Sequence, residues 1–129
     1  MAVKDSKTKY DAKIALNTQA LAADTTTNGV KLALAGYLGV TYTMTVGAVA
    51  AGDVTILIED SADNTTFAPV TDQFLISTEA TLDTANTITS VGYVGKQPYV
   101  RASVVTANSA DLTVGVTAFM ERTRTDDLV

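Results

Sequence analysis

Read along the chain, apolar and polar positions alternate with a period of two in several separate stretches. In Thr41-Tyr42-Thr43-Met44-Thr45-Val46, the residues Tyr42, Met44 and Val46 fall on one face and three threonines on the other, which predicts a half-buried strand. Asp53-Val54-Thr55-Ile56-Leu57-Ile58-Glu59 alternates less cleanly, because Leu57 interrupts the polar face. It predicts a strand covered on one side and partly covered on the other. Tyr99-Val100-Arg101-Ala102-Ser103-Val104-Val105 puts Val100, Ala102 and Val104 inward. Asp111 to Met120 repeats the pattern with Leu112, Val114, Val116, Ala118 and Met120 on its apolar face.

Thr106-Ala107-Asn108-Ser109-Ala110 reads as a short turn that joins the last two of these segments into a hairpin. Asn28-Gly29 and Ala51-Gly52-Asp53 are further turn signals, since Asn and Gly tolerate positive φ. Shorter strand candidates are residues 13–18, 30–34, 67–70 and 88–94, while 12–23 keeps some helical character. The sum is an all-β chain: a single-domain antiparallel β-sandwich, jelly-roll-like, with extended N- and C-terminal arms. The expected division is a flexible arm over residues 1–13, a sandwich over 14–120 and a tail over 121–129.

Composition narrows the chemistry. The chain has 129 residues, enough for one real core, and abundant Thr with Val and Ile favours strands. Net charge is -5, and it is unevenly spread: residues 1–13 carry +2, residues 14–120 carry -6 and the last nine carry -1. An acidic body argues against tracking phosphates, so no nucleic-acid partner is expected. No apolar run approaches the length of a membrane span, and the start Met1-Ala2-Val3-Lys4-Asp5-Ser6-Lys7 lacks the apolar middle of a signal peptide. No membrane partner is expected, and synthesis in a host cytoplasm is.

Cys, His and Trp are absent, which removes thiolate chemistry, the commonest general base and the largest stacking platform. The serines have no histidine to activate them, and none sits in a Gly-x-Ser-x-Gly elbow. No enzyme activity, no catalytic residue and no cofactor is expected. Glu59-Asp60-Ser61-Ala62-Asp63-Asn64 is the densest carboxylate cluster, but it lacks the glycine and distal glutamate of a calcium loop. It reads better as a solvated turn whose Asp and Asn bond their own backbone. Gly92-Tyr93-Val94-Gly95-Lys96 has neither the spacing nor the following Ser or Thr of a phosphate loop.

Two stretches resemble capsid proteins of tailed phages. Asn17-Thr18-Gln19-Ala20-Leu21 with Asp24-Thr25-Thr26-Thr27-Asn28-Gly29-Val30 is similar to the opening of small phage cement proteins, the family of the Bordetella phage cement protein, although Asn17-Thr18 stands where that pattern has Ser-Asp. Ile58-Glu59-Asp60-Ser61 through Phe67, with Gly92-Tyr93-Val94-Gly95 and Tyr99-Val100-Arg101-Ala102, resembles a rhythm found in virion proteins of tailed phages. The resemblance implies a non-catalytic cement or decoration protein on the outside of a phage head, where it clamps neighbouring major capsid subunits; the +2 arm beside the -6 body, which could pair between copies, adds the expectation of a homo-oligomer, a dimer or trimer. Alternatives are a head-completion or tail component present in few copies, and a carbohydrate-binding sandwich. The expected capsid or self-contacts are Lys4, Lys7, Lys9, Tyr10, Lys13, Tyr93, Tyr99, Arg122 and Arg124, chosen as basic arm residues and as tyrosines beside a turn.

Overall fold

The structure is a computed structural model that describes residues 7–122. Strand-favouring residues in period-two order give nine strands: β1 (Tyr10–Leu21), β2 (Thr26–Thr27), β3 (Leu32–Ala33), β4 (Tyr37–Ser61), β5 (Ala68–Pro69), β6 (Leu75–Ile76), β7 (Thr81–Leu82), β8 (Thr87–Tyr93) and β9 (Tyr99–Arg122). A single 3₁₀ turn at Asp72–Phe74 interrupts them. All pairings are antiparallel, in the order β1-β9-β4-β8-β6, with β2 and β3 beside β9 and β5 and β7 beside β4. The chain is all-β, as its alternation predicts. The strand order leaves the jelly-roll connectivity without support.

What organises the fold is one pair of long strands, β4 and β9, matched from Tyr37↔Arg122 to Ser61↔Tyr99. Midway, their register slips between Val46 and Asp53. Gly52 there has φ +75°, and Asn108 and Ser109 opposite it have φ +62° and +60°. Bulges of this kind bend a strand and raise its twist. Gly52 is also required by space, because a Cβ would lie 2.5 Å from the Ala107 carbonyl oxygen. Asp24 fastens the bend, its carboxylate accepting from Ala110 N at 2.9 Å and Ser109 N at 3.1 Å.

The bend turns one sheet into two layers. The first layer holds β1, the later half of β9, the earlier half of β4, β8 and β6; the second holds β2, β3, the remaining halves of β9 and β4, β5 and β7. Their inner faces share one core, with Tyr42, Met44, Val46, Val91, Val114 and Met120 from the first layer and Val54, Ile56, Ile58, Val100, Ala102 and Val104 from the second. Each fully buried aliphatic side chain here contributes roughly 1.5–3 kcal/mol. Bonds also cross between layers: Tyr93 Oη donates to Asp60 Oδ2 at 2.8 Å, and Val30 N to the Ala15 carbonyl at 2.7 Å. Gly29 sits in that second crossing, where a Cβ would lie 1.9 Å from the Ala102 carbonyl oxygen.

Several expectations change. Residues 99–105 and 111–120 are not a hairpin; they are the two halves of β9, and 106–110 is the bend between them. Asn108 and Ser109 adopt the positive φ that a turn would also use, so their local signal is the same. Ala51-Gly52-Asp53 is likewise a bend inside β4. Residues 12–23 contain no helix, since β1 spans Tyr10–Leu21. Tyr10 and Lys13, assigned to the arm, are therefore strand residues, and β9 carries Glu121 and Arg122 out of the expected tail.

Candidate functional site

Directly paired residues share a face, so the register defines the outer surface of the first layer row by row. One row is Ala12, Phe119, Thr41, Gly92 and Ile76 across β1, β9, β4, β8 and β6. The next is Ile14, Thr117, Thr43 and Ser90, and beyond it lie Gly115, Thr45 and Ile88. None of these residues is charged, on a chain with 14 acidic residues, and the first charge on the face is Glu121, in the adjoining row with Tyr10 and Gly39. The aliphatic ones stand out in solvent, with Ile14 and Ile76 61% and Ile88 65% exposed. Between them runs a band of hydroxyls in which Thr43 and Ser90 bond at 3.0 Å. A flat, uncharged surface of this kind suits a protein partner better than water.

One end of this face is hollowed. A groove of about 490 Å³ lies among Tyr10, Leu38, Phe119, Ile76 and Val94, with Gly39 and Gly92 also lining it. Phe119 and Tyr10 are 39% and 38% exposed. The groove holds aliphatic and aromatic walls and no basic residue, and its one carboxylate is Glu121. It provides shape for an apolar side chain, not a nucleophile with a base.

The outer surface of the second layer differs. Glu59 and Arg101 are paired across β4 and β9 and form a salt bridge at 2.9 Å, with side chains 11% and 16% exposed. Ser103 Oγ donates to Glu59 at 3.0 Å. The Arg101 guanidinium lies 4.5 Å from the centroid of the Phe67 ring, and Lys31 Nζ lies 5.6 Å from it. The segments around Asn28 and Phe67 thus cover this face, and its charges are satisfied internally.

The carboxylate run 59–64 is dispersed by this arrangement. Glu59 faces Arg101, and Asp60 accepts from Tyr93. Asp63 accepts from Thr65 N and Thr66 N at 2.9 Å, and those bonds hold its carboxyl below the usual range, as the Ser61 hydroxyl also does. Among the described residues, no group of three or more His, Cys, Asp or Glu is placed to hold a metal ion. No helix among them is long and apolar enough to cross a membrane.

The expected contact residues do not converge on one surface. Lys4 and Arg124 lie outside the described residues. Lys7 is exposed and Lys9 half-buried just before β1. Lys9 accepts from Arg122 N at 2.9 Å, while the Arg122 guanidinium bonds the Thr8 carbonyl and the Asp11 carboxylate. Arg122 and Tyr37 hold the Asp11 carboxyl below its usual range. Arg122 therefore clips the start of β1 to the end of β9. Tyr93 is corrected outright as a surface contact: it is 2% exposed, and burial together with Asp60 pushes its hydroxyl up to about 12. Tyr99 is half-buried and Lys13 exposed. Of the nine, Tyr10 and Tyr93 line the groove, and of these two only Tyr10 is exposed. The Thr and Ile positions of the open face escaped sequence reasoning; the missing signal was the absence of charge from Thr41, Thr43 and Thr45 of β4, Ile88, Ser90 and Gly92 of β8, and Gly115, Thr117 and Phe119 of β9.

No family model matches the chain, and no curated protein matches it in sequence. Among solved structures, the PBSX exported protein XepA is similar, with a TM-score of 0.61 and 19% sequence identity over 92% of this chain. The chain spans 39% of the length of that protein. The likeness is one of fold.

Proposed function

We propose that this chain is a non-catalytic structural protein of a phage particle, which docks through the open face of its first layer onto neighbouring major capsid subunits on the outside of the head. The observation that carries this reading is the uncharged surface running from Ile14 and Phe119 across Thr41, Thr43 and Thr45 to Ile88 and Ile76. It spans several strands, while the groove beside it accepts a single apolar anchor, which is how protein interfaces combine a complementary surface with one buried contact. The fold shared with the PBSX exported protein XepA is in keeping with this reading. Weak contacts repeated around a closed lattice would add through multivalency.

The basic residues before β1 take a secondary part in this reading, lying on an acidic neighbour. Their test is the triple variant Lys4→Gln, Lys7→Gln and Lys9→Gln, which removes three positive charges and leaves β1 whole, whereas a cut through residue 12 would remove the first residues of β1 as well.

The decisive experiment is quantitative mass spectrometry of gradient-purified particles, separated into heads and tails, with this chain counted against the major capsid protein. Copies travelling with heads in proportion to capsid subunits are expected. A handful of copies, or recovery with tails, would move the reading to a completion or fibre protein, and absence from particles would sink it.

A further inference from the structure

An open strand edge invites pairing with another chain, and folds usually blunt such edges with bulges, charges, proline or a covering segment. Three of the edges here are treated in that way. The outer edge of β1 is broken by register shifts at Ile14/Leu16 and Leu16/Gln19, carries Asp11 and Lys13, and is covered where Val30 N reaches the Ala15 carbonyl. In the second layer, the edge of β4 is covered by β5 and β7, and between them the Glu79 carboxylate accepts a hydrogen bond from Ile58 N at 2.6 Å. On the far side of that layer, β2 and β3 are two residues each.

The edge of β8 is treated differently. Its seven residues, Thr87-Ile88-Thr89-Ser90-Val91-Gly92-Tyr93, include no charge and no proline, and its pairing with β4 has no bulge. β6 covers only Gly92 and Tyr93. Val94 N donates to the Phe74 carbonyl at 2.8 Å, so the even-numbered residues of β8 aim their backbone groups away from β4. The N–H and C=O of Ile88 and Ser90 therefore point off the open edge. Ser77, just after β6, has φ +75°, and Asn86, just before β8, has φ +60°. The chain thus leaves the edge at both ends of the uncovered stretch.

We infer that this edge pairs with the same edge of a second copy of the chain, antiparallel about Thr89. Ile88 of each copy then faces Ser90 of the other, and each exchanges N–H and C=O with its partner, with the two Thr89 residues opposite one another on the two-fold axis. The choice of a second copy rests on three features. The stretch is self-complementary, because the residues with outward groups lie symmetrically about Thr89. Its uncovered length is the same on both partners and ends where each chain turns away. It is also free of charge, so two chains of net charge -5 can meet here without opposing their carboxylates. Pairing would join two open faces into one continuous surface. The inference does not depend on the particle assignment.

The test is sedimentation velocity of the full-length chain from micromolar to millimolar concentration, beside Ile88→Pro and Ser90→Lys. Ile88 N has no role in the β4 ladder, so proline there removes an edge donor and leaves the fold paired. The wild type is expected to pass from monomer to dimer as concentration rises, with both variants monomeric throughout and unchanged in circular dichroism. A wild type that stays monomeric over the whole range overturns the inference. So does an oligomer of any size that persists in both variants. Should Ile88→Pro fail to fold, Ser90→Lys decides alone.

Discussion

The outer faces of the two layers are made from halves of the same two strands, yet they solve opposite problems. On the second layer, Glu59, Arg101 and Ser103 are withdrawn from solvent, and every one of them has a partner. Loops cover them, with Phe67 against the guanidinium and Asn28 beside Ser103. On the first layer nothing covers the sheet among the described residues, and the positions that match Glu59 and Arg101 are threonine, serine, glycine, isoleucine and phenylalanine. A covered face must satisfy its polar groups from within the chain, so its charges become part of the fold. An open face built without charge demands nothing from the fold and keeps its surface for a partner. Substitutions should therefore separate cleanly, with stability affected on the second layer and association on the first.

The largest effect is expected at Arg101. Arg101→Ala leaves the Glu59 carboxylate withdrawn from water without its counter-ion, which costs about 3 kcal/mol in a buried pair. Urea unfolding should show that loss, and the double variant Glu59→Gln with Arg101→Met should recover most of it, because the unpaired charge is gone. If Arg101→Ala unfolds at the same urea concentration as the wild type, the second face is not a structural one and the contrast fails.

A smaller effect, confined to acid, belongs to the bend that creates both faces. The amides of Ala110 and Ser109 hold the Asp24 carboxyl below its ordinary value of 3.8. A depressed pKa means that this stabilisation is complete above the ordinary value and is lost as pH falls through the folded one. Asp24→Asn should accordingly melt below the wild type at neutral pH, and the gap should close as the pH falls below 3.8. A gap of constant size down to the lowest pH would mean that the charge of Asp24 is not what fastens the bend.

The halves of β4 and β9 were legible in the sequence, because period two survives in Thr41–Val46, Asp53–Glu59, Tyr99–Val105 and Asp111–Met120. Their continuity was not. A residue pair in positive φ ends a hairpin strand or bends a long one, and only the pairing of Asp53 with Ala107 and Ala51 with Asp111 tells the two apart. The same dependence on register hid the Glu59 and Arg101 pair, whose members are 42 residues apart. Tyr93 and Tyr99 looked alike beside their turn, but they differ in parity relative to the core, and Tyr93 finds Asp60 only once the layers close. The open face escaped for a related reason: its lack of charge is scattered over four strands and becomes a surface only when they align.

The smallest effect on stability should come with the largest effect on association. Thr41 lies at the centre of the open face, between Phe119 and Gly92 in its row, and its side chain is exposed. Replacing an exposed strand threonine with lysine removes no buried contact, so Thr41→Lys should unfold within about 0.5 kcal/mol of the wild type. The same lysine places a charge where a docked partner would exclude water, and an unpaired charge there is costly to the complex. Particles assembled with Thr41→Lys should therefore lack the chain, while Arg101→Ala, if it still folds, should be retained. Equal retention of wild type and Thr41→Lys, with loss of the variant in which Lys4, Lys7 and Lys9 are all glutamine, would transfer the docking role from the sheet to the basic segment before β1. The layer contrast would then describe how the fold is stabilised and not how it binds.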